Sequence, residues 1–168
     1  MNSATLHALA AFPDQLEAFY AAFPPSFAHW KPESWEGIPS ELLTAIEQLC
    51  HVRDIEIDGY QKRIERVLAE DNPLLGSIET YDLARDRDYA HDDPARVLAA
   101  FRNARAQTLR RIAGLSEDAL DRPAEFEGYG PVTVRGLVHY LCSHDQQHLA
   151  GLQWLLGKIE AERALAVR

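Results

Sequence analysis

Between Thr133 and Gly157 the chain sets two histidines inside the apolar stripe of a helix. The segment after Pro131 has no proline, and Leu137, Leu141, Leu152 and Leu155 recur at helical spacing. His144 and His148 fall within that stripe, not opposite it. Residues four apart on a helix hold their Cβ atoms about 5–6 Å apart, so two imidazoles at this spacing can chelate one ion. Burying an imidazole without a partner is costly, and a shared metal ion is the simplest reason to bury two. The alternative is a pair of hydrogen-bonded core histidines.

A helix of this kind needs apolar partners, and the rest of the chain supplies them. Helix one is expected from about Ser3 to Phe23, with Leu6, Leu9, Leu16, Phe19 and Phe23 on its apolar side. Pro13 inside it should kink or divide it, and Pro24-Pro25 ends it. Residues 24–39, with Trp30 and Trp35, form a loop too aromatic for a solvated linker and are expected to pack over one end of the bundle. Ser40 reads as the N-cap of helix two, which runs to about Glu70 on a stripe of Leu42, Ile46, Leu49, Ile57, Tyr60, Ile64 and Leu68. Asp71-Asn72-Pro73 stops it. Residues 74–92 are charged and aperiodic, with a short helix around Leu83. Asp93-Pro94 opens helix three, Val97, Phe101, Ala104, Thr108 and Ile112 face inward, and Gly114 follows its last residue, Ala113. Ser116 caps a single turn, 127–131 is a turn, and Thr133 caps helix four.

No strand is expected. Four amphipathic helices in 168 residues imply one all-α domain over residues 1–168, a four-helix bundle. The 74–92 stretch is long enough to cross the bundle and leave helices two and three parallel. The net charge of −9 argues against a nucleic-acid surface, which needs a basic stripe. No apolar run spans a bilayer, and the N-terminus lacks the basic start and apolar core of a signal peptide, so a cytoplasmic location is expected. Two cysteines, Cys50 and Cys142, give no disulfide framework.

A metal site needs more than two ligands. His7 lies on helix one, His29 and His91 in loops, and His139 faces away from His144. His51 lies on helix two, where a wheel at about 100° per residue puts it on the flank of the stripe beside Asp54 and Asp58. A flank suits a site between adjacent helices, although a surface imidazole is the commoner fate. The same wheel puts Arg53 near the stripe's centre, where pairing with Glu56 or an acidic partner across the bundle is expected and recognition of a substrate carboxylate is the alternative. Cys50 is the nearest further donor, but adjacent helical residues point about 100° apart.

These residues carry a resemblance. The chain resembles the DinB-like (DinB/YfiT-like) family of metal-binding four-helix bundles, through His51 in Glu47-Gln48-Leu49-Cys50-His51-Val52-Arg53-Asp54-Ile55-Glu56, the His144/His148 pair, and the Thr133–Leu137 entry into helix four. The resemblance implies a metal triad of His51, His144 and His148 in an up-down-down-up bundle, often dimeric, with zinc or nickel. Relatives implied by it include transferases that use a low-molecular-weight thiol, a mycothiol-dependent isomerase and amine-handling hydrolases.

Three neutral imidazoles would leave an ion room for an anionic ligand, such as hydroxide or thiolate. The expected function is therefore a metal-dependent reaction on a small molecule, with thiol transfer first and hydrolysis next. Asp54, Glu56, Asp58 and Asp145 are candidate supporting carboxylates or general bases, each also readable as a solvated helix carboxylate. Tyr140, one turn before His144, is a candidate pocket residue. A zincin-like protease would need Glu where Asp145 stands. A non-catalytic, metal-stabilised protein is the third reading, favoured by a closed four-ligand sphere. A homodimer through helix faces is expected from the resemblance, helped by Leu149 and Trp154 lying off the inner stripe.

Overall fold

The computed structural model describes residues 1–166. Its architecture is a four-helix bundle made of α1 (Ser3–Ala21), a segmented second helix, α5 (Pro94–Ala113) and α7 (Val134–Ala166). The second helix consists of α2 (Ala45–Asp54), a π-helical stretch (Ile55–Gln61) and α3 (Lys62–Ala69). α1 packs on α5 and α7, and so does α2. Short helices α4 (Thr80–Asp86) and α6 (Glu117–Leu120) lie in the connections, the first of them over the expected Leu83. No helix among the described residues is long and apolar enough to cross a membrane.

Capping side chains start the bundle helices where the sequence provides an acceptor. Asp93 accepts from the backbone N–H groups of Ala95 and Arg96, and Thr133 Oγ1 accepts from Gly136 N. All five expected inward residues of α5 are buried, as are Leu137, Leu141, Leu152 and Leu155 of α7. The apolar interior forms two clusters. One gathers Leu9, Ile64, Val67, Leu137 and Leu141; the other gathers Phe12, Ile46, Leu49, Leu152 and Leu155. Polar residues of the same helices, Arg105, His144, Asp145 and His148, fall between them in sequence, and His51 stands between Cys50 and Val52 of the second.

Three expectations are corrected. Pro13 does not divide α1, which is one continuous helix. A proline has no N–H for the carbonyl four residues back, here Leu9. Arg105 Nη1 donates to that carbonyl at 3.0 Å, so a tertiary bond replaces the missing helical one.

A small sheet exists where no strand was expected. β1 (Leu74–Leu75) pairs parallel with β2 (Pro123–Phe126), and β2 pairs antiparallel with β3 (Gly130–Thr133), with Glu125 opposite both Leu74 and Pro131. These strands are too short to show a two-residue alternation, and Pro123 and Pro131 mask them as turn. The expected turn is the hairpin loop between them, with Gly128 at φ +80°.

The second helix starts later than Ser40. Residues 41–44 are irregular, and Glu47 Oε2 accepts from both the N–H and the hydroxyl of Thr44 at 2.8 Å. Thr44 and Glu47 have the three-residue spacing of a capping box; Ser40 is followed at that spacing by Leu43, which cannot reciprocate. Leu42, expected inside, is exposed, and Leu43 is buried instead.

Candidate metal centre

Four side chains from three parts of the chain converge. His51 comes from α2, His144 and His148 from α7, and Glu41 from the irregular segment before α2. One ligand atom from each lies within 4.8 Å of all the others. His51 Nε2 and His144 Nε2 are 3.1 Å apart, His148 Nε2 and Glu41 Oε2 3.2 Å, and His51 Nε2 and Glu41 Oε1 3.7 Å. Four donors set tetrahedrally around an ion at about 2.1 Å stand about 3.4 Å from one another. The cluster therefore has the span of a single coordination sphere.

Gln48 fixes one imidazole. Gln48 Nε2 donates to the Leu43 carbonyl at 3.3 Å, which leaves Gln48 Oε1 as the acceptor facing His148 Nδ1 at 3.1 Å. The His148 proton is thereby assigned to Nδ1, and Nε2 presents a lone pair to Glu41. Two acceptors then stand 3.2 Å apart with no donor between them. Consistently, His148 Nε2 and Glu41 Oε2 are buried without a hydrogen-bond partner. A cation between them would relieve the repulsion, so the residues present fit a metal ion.

Local electrostatics favour the metal-ready protonation states. Burial, reinforced by His148, lowers His51 from its ordinary 6.5 to about 3, against the pull of Glu41 and Asp54. Burial also lowers His144, with His148, His51, Arg105 and Arg63 adding to it. Burial pushes the Glu41 carboxyl up; once acid protonates His148 and His51, their bonds and charge outweigh burial and bring it down to about 2. At neutral pH both of these imidazoles are neutral and the carboxylate is charged, the states a metal requires.

The sequence-derived triad is thus brought together, and Glu41 is the donor that sequence reasoning missed. Cys50 is not a fourth donor; it is buried against the Tyr89 carbonyl and Asp92, and burial pushes its thiol up to about 12. The four carboxylates proposed to support the site are held by arginines. Asp54 pairs with Arg53 and Arg87, Asp58 with Arg87, and Glu56 and Asp145 with Arg105. Arg53 also reaches Asp92 at 2.6 Å, so it pairs, though not with Glu56. With Asp145 so engaged, the protease-like reading loses its base. Tyr140 packs on Tyr129 of the hairpin at a ring separation of 4.8 Å; the tyrosine beside the site is Tyr60, 6.3 Å from the His144 ring.

The π-helical stretch explains the misplaced wheel. One extra residue in a turn rotates everything upstream by about 100°. A stripe extrapolated backward from Tyr60 and Ile64 therefore puts Arg53 at the centre and His51 well away from it. In the structure His51 is 1% exposed.

The fold is similar to that of YfiT from Bacillus subtilis, described as "a probable metal-dependent hydrolase with an unusual four-helix bundle topology". The TM-score is 0.81, with 14% identity, over 95% of this chain and 90% of that one. No curated protein matches the chain in sequence. The sequence pattern of the DinB superfamily matches residues 8–152, a span that contains Glu41 and all three clustered histidines. This chain belongs to the DinB superfamily.

Proposed function

We propose that this protein is a metal-dependent enzyme acting on a small molecule, with one divalent ion held by His51, His144 and His148. The observation that carries the reading is the pair of buried acceptors, His148 Nε2 and Glu41 Oε2, facing each other at 3.2 Å. Zinc and nickel, the ions implied by the family resemblance, both suit a mixed imidazole and carboxylate set.

Hydrolysis is the reaction the site supports best. The bound ion would supply Lewis acidity, lowering the pKa of a coordinated water towards neutrality. Glu41 is the charged carboxylate within reach to take the released proton. Gln48 keeps the His148 ring in one tautomer and one orientation. The description of YfiT as "a probable metal-dependent hydrolase" agrees with this reading.

Transfer of a low-molecular-weight thiol is the second reading. Three of the four donors are uncharged imidazoles, so the ion retains positive charge that favours a thiolate. The thiol would be a co-substrate, because burial raises the pKa of both Cys50 and Cys142. The experiment pairs metal-loaded protein with ester, amide and electrophilic substrates, with and without small thiols. Metal-dependent turnover without a thiol supports the hydrolase, and turnover only with a thiol supports the transferase. No turnover with any of them moves the reading to a non-catalytic metal protein.

We also propose a homodimer, a cytoplasmic location and no specific nucleic-acid partner. Of the two residues expected to help, Leu149 is buried in the core, whereas Trp154 is partly exposed beside Trp35, its ring 6.2 Å away. Light scattering at micromolar concentration tests the assembly.

A further inference from the structure

We infer that Glu41 is a displaceable fourth ligand, which closes the metal site at rest and yields to a small anionic donor. The inference rests on the metal reading above and concerns what the fourth position does.

The four donors are not equivalent. The histidines project from bundle helices, and His51 and His148 are 1% and 0% exposed. The Glu41 side chain is 32% exposed and belongs to a segment in neither helix nor sheet. His144 is also partly exposed, although its Nδ1 and Glu41 Oε2 are themselves buried, so these two side chains are the ones solvent reaches. An incoming molecule would meet these two first.

The Glu41 carboxylate also has no other countercharge. Asp54, Glu56, Asp58 and Asp145 are each paired with arginine, whereas among the described residues Glu41 faces only His51 and His148. A cation in the cluster is what would hold it there. Apart from the histidines, the carboxylate's contact is with its own backbone N–H, which a side-chain rotation breaks.

The backbone around it is, by contrast, well seated. Ser40 lies against Gly151 of α7, where a Cβ would stand 2.2 Å from Ser40 Oγ. The Glu41 carbonyl accepts from Leu43 N at 2.8 Å, and the Tyr81 hydroxyl accepts from Leu42 N at 3.3 Å. None of these bonds involves the carboxylate. It can therefore swing from the cluster towards solvent by side-chain rotation while the segment stays in place. A ligand that binds only when Glu41 has left competes with it, and its apparent affinity falls by the fraction of time the position stands open.

Cobalt(II) serves as the probe ion, read by its visible spectrum, and azide as the small anionic ligand. Wild type, Glu41→Ala and Glu41→Gln are compared, with circular dichroism as the check on folding. The cobalt spectrum should change in Glu41→Ala. Azide should bind the wild type, and bind Glu41→Ala about tenfold or more tightly. Glu41→Gln keeps the bulk and loses the charge, and its azide affinity should lie near that of Glu41→Ala. An unchanged spectrum and azide affinity in Glu41→Ala would show that Glu41 is not a ligand. Azide binding to the variant but never to the wild type would make Glu41 a permanent ligand, which overturns displaceability. Glu41→Gln matching the wild type would mean that bulk shields the ion, not coordination. Failure of the wild type to take up any cobalt would sink the metal reading itself, a distinct result.

Discussion

Two polar clusters lie side by side in this bundle, and they differ in how completely they are satisfied. His144 belongs to one, and its sequence neighbour Asp145 to the other. In the second cluster Arg105 uses its full guanidinium. Nε and Nη2 donate to Glu56 at 3.2 and 2.9 Å, Nη1 and Nη2 to Asp145 at 2.7 and 3.0 Å, and Nη1 to the Leu9 carbonyl at 3.0 Å. That uses all five N–H donors of an arginine. The bonds tie together α1, the π stretch, α5 and α7. In the histidine cluster His148 Nε2 faces Glu41 Oε2, and these and other buried atoms lack partners. A cluster that completes itself is architecture. One that leaves matching lone pairs around a common point is waiting for a ligand.

The two clusters should therefore respond unequally to substitution. Arg105→Met strands two buried carboxylates and the Leu9 carbonyl, and should destabilise the metal-free protein by about 3–5 kcal/mol in urea unfolding. His148→Ala gives up the bond to Gln48 and the packing of a buried ring, but it also removes an acceptor that has no donor, so it should cost the metal-free protein clearly less than Arg105→Met. A loss below about 1 kcal/mol for Arg105→Met would erase the distinction.

Gln48 sharpens the comparison from the ligand side. Gln48→Ala frees the His148 ring and should weaken metal binding by about 10–100-fold, with the fold retained. Competition with a chromophoric chelator reads this directly. Unchanged affinity would mean that the Gln48–His148 bond does not orient the ligand.

Acid should also loosen the metal-free histidine cluster. His51 is lowered from 6.5 to about 3, so between those values the unfolded chain holds a proton that the folded chain does not. Stability from this group is therefore present above about 6.5 and is lost as pH falls towards 3. A His51→Gln variant should show a shallower fall in urea midpoint across that window, and an identical fall would remove His51 from the account.

The smallest effect is expected at Pro13. Replacing proline in a helix interior typically stabilises by about 3 kcal/mol. Here Arg105 already occupies the Leu9 carbonyl, so Pro13→Ala should gain well under that amount. A full gain in thermal or urea unfolding would show that the tertiary bond is no substitute for the helical one.

The helices and their inward faces were legible in the sequence because period and punctuation agreed, most clearly from Asp93 to Gly114 and from Thr133 onward. The paired histidines were legible for the same reason. Glu41 was not, because Ser40 offered an earlier helix start and put residue 41 into a first turn; the Thr44/Glu47 spacing was the signal that favoured the later one. His51 was found through the family resemblance, while the wheel misplaced it, since an even step of about 100° carried across the π-helical stretch puts the residues upstream out of phase. Arg105 was missed although Phe101, Arg105, Thr108 and Ile112 share one helical face. A charged residue inside a stripe reads as its edge until its carboxylate partners on other helices are known.

The central claim is that three histidines hold one ion. It is tested most directly by zinc and nickel titration of wild type beside His51→Ala, His144→Ala and His148→Ala, each verified as folded. The account predicts one ion per wild-type chain and at least about a hundredfold weaker binding in every variant. Absence of a one-to-one site in the wild type, or wild-type affinity in any one of the three variants, would contradict it.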